Sequence, residues 1–306
     1  PPPPPPTPPP PPPPLVPYTT LFRSAMVETG GKNRKGRVVK SLPMAFEEDD
    51  FEALRDAYYR LEHPSLAARL SNVVGTPIDL ALQLLPKPWY RRFHKTAEAA
   101  IAKALETAVS SMRREKCNSA HENYYKTLVA GSGAIGGLFG LPGLLLELPI
   151  STTLIIRGIA EIARDEGEDV HSTETQLACI EVFALGGTAE SDDAAESGYY
   201  GIRFALSTYM TAAVSHVAAQ GFKADGGPVV IQLISAIASR FGVAISQRAA
   251  IQIMPVVSAV SAATVNTIFM QHFQDMARAH FTVRRLERKY GEAFVRAGYE
   301  TLREQA

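Results

Sequence analysis

The residues whose types and spacing could do chemistry are few, and most lie toward the C-terminal end. His272 and Asp275 stand three positions apart, and His280 follows. On a helix, residues three apart share a face. An imidazole and a carboxylate placed so could offer a metal ion two ligands, with His280 as a third. Such a centre would be that of a metal-dependent hydrolase. The pattern H-E-x-x-H is absent, because His121-Glu122 lacks a second histidine. Gly131-Ser132-Gly133-Ala134-Ile135-Gly136 spells G-x-G-x-x-G. That motif holds a dinucleotide only between a strand and a helix, and here Pro142 and Gly143 interrupt the helix and no βαβ unit follows. Ser132 lies outside a G-x-S-x-G elbow. Cys117 and Cys179 match no metal spacing. No catalytic residue and no cofactor are assigned.

A second group of residues is notable for its surroundings. Glu147 sits in Leu144-Leu145-Leu146-Glu147-Leu148, and Glu181 in Cys179-Ile180-Glu181-Val182-Phe183. Arg157, Arg203, Arg240 and Arg248 are flanked by apolar residues as well. A buried charge is costly unless it is paired. Glu147 or Glu181 is therefore expected to pair with Arg157 or Arg203 across helices and fix their register. A third group, Arg284, Arg285, Arg288 and Lys289, ends a long helical pattern, where cations complement the macrodipole. These four are candidates to face anionic lipid or a partner.

Long helices must position these groups. Glu47 to Leu61 carries acids in its first turn and Phe51, Leu54, Tyr58 and Leu61 at helical spacing; His63-Pro64 ends it. Leu66 to Leu85 breaks near Gly75 and Pro77. Trp89 to Arg114 has Ile101, Leu105, Ala108 and Met112 on one stripe. Leu144 to Arg164 reads as a helix starting near Pro149. Thr173 to Leu185 reads as a helix capped by Thr173 and Gln176 and stopped at Gly186-Gly187. Tyr199 to Phe222, Val229 to Met254 and Val256 to Tyr290 follow, then Gly291 and a short last helix. No strand alternation of useful length occurs.

The first residues differ in kind. Pro1 to Pro14 is proline apart from Thr7, and Tyr18-Thr19-Thr20-Leu21-Phe22-Arg23-Ser24 is what a common sequencing-library adapter encodes. Residues 1–24 read as adapter read-through and are set aside. Residues 25–45, with polar and basic Gly30 to Lys40, read as a flexible tail. Residues 46–306 are expected to form one helical domain.

Apolar residues make up 46% of the 306, enough for a substantial core. Lys plus Arg and Asp plus Glu are equal at 31 each, which argues against nucleic-acid binding. Two cysteines and no basic-then-apolar leader fit a reducing, cytoplasmic setting. Thr127 to Leu146, Phe204 to Phe222 and Ala249 to Gln274 are uncharged and long enough to span a bilayer. Their Ala, Ser, Thr and Gly content suits close helix packing in a soluble core. The glycine-rich segment Gly131 to Leu146 is a candidate for insertion into lipid.

Several motifs together resemble the bacterial EcsC protein family. They are Gly140-Leu141-Pro142-Gly143-Leu144, Glu147-Leu148-Pro149, and Ile162-Ala163-Arg164-Asp165-Glu166-Gly167-Glu168-Asp169. Glu181-Val182-Phe183-Ala184-Leu185-Gly186-Gly187, Met254-Pro255-Val256-Val257-Ser258-Ala259 with Asn266, and His272-Phe273-Gln274 through Arg284-Arg285-Leu286-Glu287 are similar too. The resemblance spans about Phe46 to Gly298. Ser258 and Ser261 stand where relatives often carry glycine. The resemblance implies a helical, intracellular protein, named for a gene linked to a transporter operon that affects secretion, with no catalytic residues to carry over. The combined expectation is an all-α, multi-helix bundle of long Ala/Gly-rich helices. It would be cytoplasmic or peripheral to the inner face of the cell membrane, a non-enzymatic accessory protein with a protein partner and no nucleic acid. A lipid-binding protein using residues 131–146, or a metal-dependent hydrolase, is the alternative.

Overall fold

The computed structural model describes residues 46–63, 66–75, 77–112, 140–186, 198–220, 227–253 and 259–305. The chain divides into two compact units, Pro1–Glu48 and Asp49–Ala306, and the second carries the helical fold. Residues 1–45, read above as an adapter segment and a tail, lie outside the described residues, as do Cys117, His121, Gly131 to Phe139 and the Met254 to Ser258 motif.

Ten helices and no strand are present among the described residues. They are α1 (Glu48–Glu62), α2 (Leu66–Val74), α3 (Ile78–Gln83), α4 (Lys87–Met112), α5 (Gly140–Asp165), α6 (Thr173–Leu185), α7 (Tyr199–Gln220), α8 (Pro228–Ile253), α9 (Ala259–Tyr290) and α10 (Glu292–Gln305). The chain is all-α, as expected. Its punctuation follows local chemistry. Gly75, at φ 67°, lies in the break between α2 and α3, and Gly291, at φ 89°, separates α9 from α10. Both φ values suit glycine, which has no Cβ to clash.

Two helix starts differ from expectation. Helix α5 begins at Gly140, and Pro149 lies inside it. Proline there removes one backbone hydrogen bond. Leu144, Glu147, Leu148, Ser151 and Thr152 around it are all buried, so packing keeps the helix continuous. Helix α6 is capped by Ser172, whose side chain accepts from the Thr175 amide, in place of the Thr173 and Gln176 box. Gln176 instead donates to the Val170 carbonyl at 3.3 Å.

Helix α6 is buried from Thr175 through Leu185 and sits at the centre. Helices α5, α7, α8 and α9 all pack on it. Phe183 of α6 meets Phe241 of α8 at 4.5 Å and Phe273 of α9 at 5.2 Å between ring centres. Phe269 completes the cluster, 5.1 Å from Phe273. Aromatic contacts of this kind add to area burial. Gly186 is required where α6 meets α9, since a Cβ there would lie 2.6 Å from the Phe273 ring and 2.7 Å from His272 Nε2. Helix α4 lies along α5 and α8, burying Phe93, Ala97, Ala100, Ile101 and Ala104.

By length and composition α5 and α8 could each cross a membrane, yet 61% and 50% of their most apolar windows are buried against the rest of the fold. Core helices pass the same test, so the property decides little.

Candidate functional site

Helix α9 carries polar groups at successive levels, and each level meets a different neighbour. At the first, Arg248 of α8 donates to the Glu147 carboxylate of α5. Their side chains are 1% and 4% exposed. Asn266 of α9 donates to Glu147 at 3.4 Å, and the Arg248 guanidinium lies over the Phe269 ring. Arg248 Nε and Nη1 find no hydrogen-bond partner among the described residues. Glu147 is thus buried and paired across helices with Arg248, in place of the expected Arg157 or Arg203. Arg157 is half-buried, and its Nε finds no partner among the described residues.

At the second level, Asp275 accepts from Arg60 at 3.2 Å, Arg69 at 3.0 Å and Arg278 at 3.2 Å. Asp275, Arg60 and Arg69, with Asp56, Tyr59, His63, His272 and Met276, line an open cleft of about 340 Å³. His272 Nε2 lies 2.8 Å from the Gly186 carbonyl oxygen, so that nitrogen carries the proton and donates it. Burial pushes the His272 imidazole down to about 4, with the Gly186 bond opposing only in part.

At the third level, Tyr199 of α7 meets His280. The Tyr199 hydroxyl lies 3.1 Å from His280 Nδ1 and accepts from Arg203 Nη1 at 3.3 Å. With Arg203 donating to its oxygen, Tyr199 gives its own proton to Nδ1, so His280 Nε2 holds the ring proton. That nitrogen faces the Glu181 carboxyl at 3.8 Å, beyond hydrogen-bond range. Burial pushes His280 well below its ordinary value, reinforced by Arg203 and Arg284, and pushes Glu181 up. At neutral pH this contact is therefore not an ion pair. Arg203 pairs with Glu287 at 2.6 Å, a correction to its expected pairing with Glu147 or Glu181.

The metal expectation meets a geometric obstacle. His272 and His280 are eight residues apart on one helix, about 12 Å along its axis. Asp275 is surrounded by guanidinium groups, and both histidines are engaged by protein partners. No group of three His, Cys, Asp or Glu close enough to hold a metal occurs among the described residues. Cys179 is buried, and burial pushes its thiol up to about 12, far from a reactive thiolate.

At the fourth level, the basic run that ends α9 folds back on acids of the same chain. Arg284 donates to Glu168 at 2.8 Å and to Glu174 at 3.0 Å. Arg285 donates to Glu166 at 2.8 Å and to Asp50 at 3.1 Å. Arg288 pairs with Glu168 and donates to the Glu166 carbonyl at 2.7 Å. Lys289 reaches Asp50 at 2.7 Å. The turn that presents Glu166 and Glu168 is a Schellman motif. The Gly167 amide donates to the Arg164 carbonyl and the Glu168 amide to the Ala163 carbonyl, with Gly167 at φ 81°. Burial alone would raise the Asp50 and Glu168 carboxyls. The hydrogen bonds and charges of Lys289, Tyr290 and Arg285 on Asp50, and of Arg284 and Arg288 on Glu168, outweigh it and hold both low. The four cations expected to face lipid or a partner each pair with an acid of the same chain, and Arg288 and Lys289 stay exposed while doing so.

Sequence reasoning did not name Arg248, Glu287, Tyr199, Glu168 or Asp50 as partners. The acidic run after α5 and the basic run ending α9 were both visible, and their complementary charge was the available signal. The sequence model of the EcsC protein family matches residues 48–286. The acidic run falls within that range, as do Arg284 and Arg285, while Arg288 and Lys289 lie beyond it. No curated protein and no solved structure matches the chain.

Proposed function

The chain belongs to the EcsC protein family, and from that premise we propose that it works as a non-enzymatic accessory protein, cytoplasmic and at the inner face of the cell membrane, in transport or envelope processes. One observation supports this reading above others: the side chains of α9 best suited to chemistry are engaged within the bundle. Asp275 is held by three arginines, and His272 and His280 are buried with ring nitrogens bonded to protein groups. A general base must reach the proton that it removes, and a metal ligand must offer a free lone pair in a shared shell. What such a fold offers a partner is its surface.

The test has two parts. Purified protein is assayed for bound metal, and its melting temperature is followed with added Zn²⁺, Mn²⁺ or Fe²⁺; sub-stoichiometric metal and an unmoved melt are expected. A deletion strain with an envelope or secretion defect is then rescued with the wild type and with His280→Gln. Equal rescue is expected. One metal per chain, released by Asp275→Asn, would contradict the reading and restore the hydrolase.

A further inference from the structure

Helix α4 opens with Lys87, Pro88, Trp89, Tyr90, Arg91 and Arg92, and Lys95 follows one turn later. Lys87, Arg91 and Lys95 recur every four residues and so run down one side of the helix. These three and Arg92 are all exposed. None of the four makes an ion pair among the described residues; in this stretch the charge contacts are His94 with Glu98 at 3.7 Å and Arg92 over the Trp89 ring at 4.9 Å.

This placement opposes ordinary helix electrostatics. The first turn of α4 holds no acid, and cations are unfavourable at the positive end of the helix dipole. Like charges four residues apart repel as well. Between positions 77 and 97 a single acid, Asp79, stands against the four cations. An external anion would relieve that repulsion. Lys87, Pro88, Arg91, Arg92 and Lys95 line an open depression of about 450 Å³.

The neighbouring surface is apolar. Leu80 and Leu84, four apart in and just after α3, are 53% and 58% exposed, and Tyr90 is 41% exposed. The Tyr90 hydroxyl donates to the Leu82 carbonyl at 3.3 Å and ties α4 to α3. Trp89 is half-buried, its ring 5.7 Å from Phe93. Cations, aromatics and exposed leucines thus stand close together in sequence, on two helices tied by that hydrogen bond.

We propose that the α3–α4 corner docks on an anionic lipid bilayer, with Lys87, Arg91, Arg92 and Lys95 at the headgroup phosphates and Leu80, Leu84 and Tyr90 entering the interface. The proposal rests on the accessory reading above and names its membrane contact. Basic side chains gain from the negative surface potential of a cytoplasmic leaflet. Tyrosine, tryptophan and apolar side chains settle at headgroup level. The leucines decide against a nucleic acid, whose phosphates gain nothing from them. So does the zero net charge of the whole chain.

The full chain is sedimented with vesicles of phosphatidylcholine alone, or of phosphatidylcholine mixed with phosphatidylglycerol, at low and high salt. Binding to the anionic vesicles, weakened by salt, is expected. The variant K87Q/R91Q/R92Q/K95Q is expected to lose at least about a hundredfold in vesicle partitioning with a melting temperature no lower than that of the wild type. Leu80→Ser combined with Leu84→Ser should lose about tenfold. Equal binding by the wild type and the quadruple variant overturns the proposal. So does single-stranded RNA that binds the wild type and the leucine variant alike, which would make the patch a nucleic-acid site. A wild type that stays in the supernatant yet rescues the deletion strain overturns the lipid corner alone and leaves the accessory reading standing.

Discussion

The end of α9 and the start of α4 each carry four cations close together in sequence, and the fold treats them oppositely. Arg284, Arg285, Arg288 and Lys289 lie at a helix C-terminus, where the dipole favours them, and each reaches an acid of the same chain. Lys87, Arg91, Arg92 and Lys95 lie at a helix N-terminus, where the dipole opposes them, and none reaches an acid among the described residues. Two runs of similar composition therefore have different uses. The paired run joins α9 to the turn after α5 and to α1, so its charge stabilises the fold. The unpaired run costs the fold some stability, and its charge is open to something outside.

Changes in both kinds of charge can break or sharpen that contrast. The largest effect is expected in the interior. Arg248→Ala strands Glu147 in the core and should lower unfolding free energy by about 3–5 kcal/mol, read by urea denaturation. Replacing both partners, Glu147→Leu with Arg248→Met, should recover most of that loss. A double variant as unstable as the single one would show that the pair does more than neutralise charge.

The next effect concerns the paired run. Glu168→Gln removes the carboxylate shared by Arg284 and Arg288 and should cost about 1.5–3 kcal/mol. A loss below 0.5 kcal/mol, the usual size of a change at an ordinary surface site, would mean that the run is no more committed to the fold than the α4 patch.

Acid should act in two windows. His272 titrates near 4 in the folded chain, against about 6.5 when unfolded. Unfolding therefore takes up a proton between those values, and stability falls progressively as pH drops from about 6.5 to about 4. His280 adds to the fall in the same direction. Glu181, raised by burial, acts oppositely and contributes more as pH falls toward its unfolded value of about 4.3. Asp50 and Glu168, held low, contribute above about 4 and lose that contribution as pH falls through their folded values. His272→Asn should flatten the upper window in a pH series of thermal melts. An unchanged slope would show that His272 does not titrate as its burial implies.

The smallest effect belongs to the unpaired run. Lys87→Ala, Arg91→Ala and Lys95→Ala should each change stability by no more than about 0.5 kcal/mol, and relief of repulsion favours a slight gain. A loss of 2 kcal/mol from any of them, far outside that range, would reveal a structural role and dissolve the contrast.

Helix existence was legible in the sequence because punctuation and apolar period agreed. His63, Gly75 with Pro77, Gly186 and Gly291 all lie where a helix ends. Helix α5 was misread at its start because Pro149 was taken for a first-turn proline, and the packing that carries the helix through it comes from helices distant in sequence. Ser172 was passed over as a cap because Thr173 and Gln176 form the better-known pattern one position later. The need to neutralise Glu147 was legible, and Arg248 as the partner was not. Composition shows that a buried carboxylate needs a cation, but only the packing of α5 against α8, which joins residues 101 positions apart, selects which one. The α4 cations escaped notice because that helix was read through its apolar stripe. Only Ile101 of that stripe has a described side chain, and it is fully buried.

Hydrogen exchange on the full chain, with and without phosphatidylglycerol vesicles, tests the division between internal and external charge most directly. Added protection concentrated between residues 78 and 95, with residues 284–290 unchanged, is the expected result. Protection gained at 284–290, with none between 78 and 95, would show that the paired cations are the ones that meet the membrane and would contradict the account.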